Sequence, residues 1–209
     1  MQRGIKILFI ICCILIGLYP FAYFFVNREF GLLSTKSTEL LLDNIWNIAF
    51  YLHIILGGIS LLIGWIQFSE KIRATNIKLH KIFGKIYVIS ALISGCAGIY
   101  IGFFATGGLI ASLGFISLGI IWTMTTYFGY AHIRKGAVQK HEKLMYFSFG
   151  ACFAAVTLRI WLPILTISFG DFIIAYKIVA WLCWVPNLLV AYYLLCKKEQ
   201  KNNKINLSI

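Results

Sequence analysis

Residues 45–68 read IWNIAFYLHIILGGISLLIGWIQF, 24 positions without a single Lys, Arg, Asp or Glu. As an α-helix this stretch rises about 36 Å, enough to cross a hydrocarbon layer about 30 Å thick. A backbone in lipid has no water to bond, so the helix, which satisfies its own N–H and C=O groups, is the form it must take. The polar residues are not scattered. His53, Gly57, Ser60, Gly64 and Gln67 follow at steps of 4, 3, 4 and 3 and so share one face. Small and polar residues in membrane helices face neighbouring helices, which makes this face the interior one.

Five further runs of the same character flank this one. Spans are expected at 5–26, 45–68, 82–105, 108–131, 144–168 and 172–196 (spans 1–6). Over 209 residues the chain is 60% hydrophobic and 12% charged, against about 25% charged in soluble domains. The expected fold is an all-α polytopic membrane bundle of six transmembrane helices, forming a single membrane domain over 1–209. The first run follows MQRGIK and, at about 20 residues, is longer than the roughly 7–15 of a secretory signal's apolar region, so a retained helix is expected.

The net charge of +12 is distributed by topology. The N-terminus, residues 69–85, the 132–143 loop and the C-terminal tail hold 15 of the 19 Lys and Arg residues. Positive loops face the cytoplasm, so both termini are expected there. The same loops are expected to meet anionic lipid headgroups. With no basic domain apart from them, nucleic acid is not an expected partner. The six cysteines lie in or beside apolar runs without CxxC spacing, as small packing residues do. All seven acidic residues fall outside the spans, which leaves no carboxylate pair in the membrane for acid–base chemistry.

Polar stripes recur in the other spans. Span 3 carries Tyr87, Ser90, Ser94, Gly98 and Gly102; span 4 carries Gly119, Thr123, Thr126 and Tyr130. Span 5 carries His141, Met145, Ser148, Cys152, Ala155 and Arg159, and span 6 carries Asn187 beside a helix-breaking Pro186. An arginine within a span costs roughly 2.5–3.5 kcal/mol unless it is paired or reaches the interface. Arg159 lies about 27 Å along the helix from His141, near the outer face, where Asp43, Asp171 or an anionic ligand are its candidate partners.

Of the four histidines, His53 falls in the outer half, while His80, His132 and His141 fall at the cytoplasmic face. A two-haem electron wire needs a histidine pair near each surface, so this distribution argues against one. A single b-type haem or a metal between His80 and His141 stays open, as does binding of lipid phosphate at the helix starts that carry them.

The stretches GWIQFSEKIR (64–73), HKIFGKIY (80–87), HEKLM (141–145), AAVTLRIWLP (154–163) and WLCWVPNLL (181–189) together resemble a family of bacterial integral-membrane proteins, domain of unknown function 2306. The likeness runs from about 50 to 192. The family pattern matches at His53, at His80, Lys81, Gly84 and Tyr87, at Leu158 and Arg159, and at Trp184, Pro186 and Asn187. It departs at the second histidine motif, where histidine–basic–x–Trp–Met is here His141, Glu142, Lys143, Leu144, Met145. His132 has no counterpart. The resemblance implies the bacterial cytoplasmic (inner) membrane and brings no established activity, so whether the chain is an enzyme stays open.

The expected cofactor-binding residues are His53, His80, His141 and Arg159, with Gln67, Tyr87 and Asn187 completing a polar interior. Three functions are compatible with them. The first is a redox-associated module that binds haem or a quinone-like cofactor. The second is a small transporter or channel whose pathway is the stripe. The third is a non-catalytic assembly factor for a membrane-complex partner.

Overall fold

The computed structural model describes residues 3–25 and 31–206, with side chains for 4–25 and 31–201. The charges read at Arg3, Arg28, Glu29 and Lys204 lie outside the described side chains. The described residues form helices and turns, with six helices long and apolar enough to cross a membrane: Gly4–Phe24, Asn44–Phe68, Ile77–Gly102, Leu109–Arg134, Val138–Phe169 and Phe172–Lys201. These are spans 1–6. Large apolar side chains such as Leu15, Ile89, Ile167 and Leu189 point outward, the arrangement a bundle in lipid requires.

Two spans start earlier than expected. Span 3 begins at Ile77, where Asn76 caps the backbone N–H of Leu79 at 3.0 Å, and so Lys78, His80 and Lys81 lie within the helix. Span 5 begins at Val138, which places His141 within its first turn. A helix tolerates charges once it leaves the hydrocarbon, so hydropathy alone cuts such ends short. Spans 5 and 6 are each interrupted, at Phe153 and at Cys183–Trp184. The second break precedes Pro186, which has no N–H to give the carbonyl of Leu182.

Spans 2 to 5 pack in chain order, while spans 1 and 6 close the bundle against spans 2, 4 and 5. The core is lined by the stripe faces, with Leu61, Tyr87, Ala91, Trp122, Phe149 and Val156 at its centre. Side-chain contacts define the two ends. At the basic end, Glu142 of span 5 meets Arg73 of the 2–3 connection at 3.6 Å and also Lys198 of span 6. At the opposite end, segment 31–37 folds onto the 3–4 connection, where Thr35 Oγ1 and Thr106 Oγ1 are 2.9 Å apart. Gly108 starts span 4 with φ +71°, a left-handed turn that favours glycine.

Candidate functional site

A cavity of about 220 Å³ opens between spans 1 to 6 and the 31–37 segment, reaching from that segment to the middle of the bundle. Its polar lining comes from Tyr23, Lys36, Trp46, His53, Trp122, Arg159 and Tyr176. The sequence stripes supply His53 and Arg159, which lie within electrostatic reach of each other. Lys36, Tyr23 and Trp46 come from a connecting segment and from span ends, positions that helical periodicity does not address.

His53 is fixed by span 3. Its Nδ1 is 2.9 Å from the carbonyl oxygen of Ser94, and Ser94 Oγ donates in return to the His53 carbonyl at 2.8 Å. A carbonyl oxygen can only accept, so Nδ1 carries the proton, and in the neutral ring Nε2 holds the lone pair. The ring fits because residue 98 is glycine. A Cβ there would lie 2.8 Å from Nδ1.

Arg159 has no carboxylate among the described residues. Its Nη1 donates to the Ala155 carbonyl at 2.9 Å, and the guanidinium carbon sits 4.4 Å from the centroid of the Tyr19 ring, a cation–π contact. The two acids expected as partners are engaged elsewhere. Asp43 Oδ1 accepts from Ile45 N at 2.8 Å, and Asp171 Oδ1 from Ile173 N at 2.6 Å, each capping a helix start. Lys36 Nζ donates to the Phe104 carbonyl at 2.5 Å and to Thr106 Oγ1 at 2.9 Å. Burial in this neutral setting pushes its pKa from 10.5 down to about 8. Lys36 also borders a second, more open groove against Phe103, Leu109 and Ile116.

The remaining expected residues lie elsewhere. Ser94, the partner of His53, is 14 residues beyond His80, about 21 Å along the helix. His80 therefore belongs to the basic end, within electrostatic reach of Arg73 and His141. There His141 Nδ1 donates to the Gly129 carbonyl at 2.9 Å, while His80 Nδ1 is buried without a partner. Gln67 is at the same end, with Oε1 3.4 Å from where a Cβ on Gly84 would sit, and its Nε2 is also unpartnered. Neither the cavity nor the groove is lined by these groups. Asn187 bridges the interruption in span 6, donating to the Cys183 carbonyl at 2.8 Å and to Thr157 Oγ1 at 3.1 Å.

Tyr87 lies between the two ends in a ring of hydrogen bonds. Thr126 Oγ1 donates to the Trp122 carbonyl at 2.7 Å. That sets the direction of the other links: Ser148 donates to Thr126 at 2.7 Å, Tyr87 to Ser148 at 2.8 Å, and Trp122 Nε1 to Tyr87 at the long limit of 3.5 Å. The chain leaves Trp122 by its indole and returns to its carbonyl. All members are buried, and each hydroxyl proton is committed. Among the described residues no cluster of three His, Cys, Asp or Glu side chains is placed to hold a metal ion.

A family model described as predicted membrane protein (DUF2306) matches residues 50–195, more than two thirds of the chain. No curated protein and no solved structure matches it.

Proposed function

We propose, for a chain that belongs to the DUF2306 family of predicted membrane proteins, that it binds a quinone-like ring molecule in the cavity beside His53. The observation that carries this reading is the pairing of opposite hydrogen-bonding capacities on one apolar cavity. His53 Nε2 accepts, as a hydroxyl of a reduced ring would require, and Arg159 donates, as a ring carbonyl would require. The volume supports the choice of ligand. About 220 Å³ is below the roughly 300–1,000 Å³ of drug-sized sites and suits one or two fused rings better than a porphyrin. The histidines also favour the quinone-like reading over haem in this cavity, because His53 is the one histidine among its described lining and offers no second ligand for a haem iron.

The Trp122–Tyr87–Ser148–Thr126 ring counts against the transport reading. It closes the polar stripe at mid-bundle with hydroxyls that have no free donor to pass on. The basic loops support placing their end in the cytoplasm of a bacterial inner membrane, in contact with anionic headgroups, with the cavity in the outer half.

Trp46 and Trp122 line the cavity and provide a signal. In lipid nanodiscs a short-tailed benzoquinone should quench tryptophan fluorescence saturably. His53→Leu should weaken the apparent affinity about tenfold or more, and His80→Ala should leave it unchanged. Linear, unsaturable quenching that is identical in all three proteins would mean partition into lipid and would overturn the proposal.

A further inference from the structure

The cavity holds two cations and, among its described lining, no carboxylate. Lys36 gives two of its donors to neutral oxygens, Phe104 O and Thr106 Oγ1. Arg159 gives one to the Ala155 carbonyl and rests on an aromatic face. The ion pairs among the described residues both belong to Glu142 at the far end. A further donor points the same way. Trp46 is 2% exposed and lines the cavity, and its indole N–H has no partner. Donors and positive charge thus exceed acceptors in a space walled by apolar side chains and glycines. In such a medium an unmatched charge is costly, and a matching one is held far more strongly than in water.

We infer that the molecule bound in this cavity is a monovalent oxyanion on an apolar body, its charged oxygen received by the Arg159 guanidinium. This rests on the reading that the cavity is the ligand site, and it narrows the ligand to an acidic one: a ring enolate or phenolate, or a short-chain carboxylate. The guanidinium is suited to the role because its planar fork offers parallel N–H donors to one oxyanion and keeps its charge at any pH the protein meets. Binding of such a ligand would also give the buried charge of Arg159 the counter-ion that Asp43 and Asp171 do not provide.

The test uses the full chain in nanodiscs of neutral phosphatidylcholine, with three probes at pH 7. These are a hydroxynaphthoquinone, which is ionised, its uncharged methyl ether, and hexanoate. The hydroxynaphthoquinone is expected to bind at least about tenfold more tightly than the ether, and Arg159→Gln is expected to abolish that preference. Equal binding of the acid and the ether overturns the anion inference and leaves the ring-binding proposal standing. Arg159-dependent binding of hexanoate with neither ring compound bound does the reverse. Failure of all three probes ends both. A preference for the anion that survives Arg159→Gln overturns the assignment to Arg159. Should that variant fail to fold, the preference of the wild-type protein between acid and ether still decides whether the ligand is an anion.

Discussion

Lys36 is the residue whose protonation the fold alters most usefully. Its ammonium is half-buried against Phe104 O and Thr106 Oγ1, and its pKa falls to about 8, against 10.5 for the free side chain. Between these values the unfolded chain keeps a proton that the folded protein has lost. The state that binds more protons is then the unfolded one, so stability rises with pH across that window. The burial cost of the cation is present in full below about pH 8 and is gone above about 10.5. Thermal unfolding of wild type and Lys36→Met, compared from pH 7 to 10.5, should show a rise in the wild type that the variant lacks. Other groups titrate in the same range, so the difference between the two curves is the quantity to read. A parallel pair of curves would show that Lys36 keeps its ordinary pKa.

At the scale of elements, the hydroxyl ring joins three helices. Tyr87 comes from span 3, Trp122 and Thr126 from span 4, and Ser148 from span 5. Spans 3 and 4 also approach closely through glycines. A Cβ on Gly119 would lie 2.7 Å from Ile99, and one on Gly102 would lie 2.9 Å from Ile116. Tyr87→Phe removes the acceptor of the Trp122 indole and the donor to Ser148, leaving buried polar groups unpaired. The expected loss is about 1–3 kcal/mol, nearer the lower figure because helices separated in lipid find other partners. Reversible unfolding in mixed detergent and lipid would measure it. Ser148→Ala breaks the same ring, so the double variant should lose less than the sum of the two single ones. Strict additivity would mean that the four groups do not act as a unit.

Across the whole molecule, the two ends are held by different chemistry. The 31–37 segment is fastened by hydrogen bonds to the 3–4 connection, whereas the basic end is fastened by Glu142, a single carboxylate between Arg73 and Lys198. The acid ties the 2–3 connection and the end of span 6 to span 5. Both pairs are partly exposed, so each is worth under about 1 kcal/mol and is screened by salt. Glu142→Gln should leave the melting temperature within a few degrees of wild type and make the chain beyond Lys197 more susceptible to protease. The difference should shrink in high salt. Equal cleavage of both proteins at low salt would show that the tail is held by packing alone.

Six helices and their interior faces were legible in the sequence for a simple reason. Lipid accepts apolar side chains on any helix face, so a histidine, a serine or a row of glycines at helical spacing has only the interior to occupy. The buried positions of Ser60, Ser90, Ser94, Thr126 and Ser148 follow that rule. The separation of His53 from His80 and His141 also follows from counting residues along helices of fixed rise. The ends of spans 3 and 5 were less legible, because a helix continues past the hydrocarbon into a region where charge carries no penalty. The cavity was legible only in part. His53 and Arg159 show themselves as polar residues inside apolar runs, but Lys36 reads as one more loop lysine. Its place on the cavity wall depends on bonds to Phe104 and Thr106, 68 and 70 residues away. The sequence by itself determined which residues enter the membrane and which faces turn inward, because those follow from local solvation. Which of those residues share a cavity, and which are spent on capping or on a closed hydroxyl ring, was decided by the tertiary structure, because hydrogen-bond partners are chosen between helices and no local period encodes them.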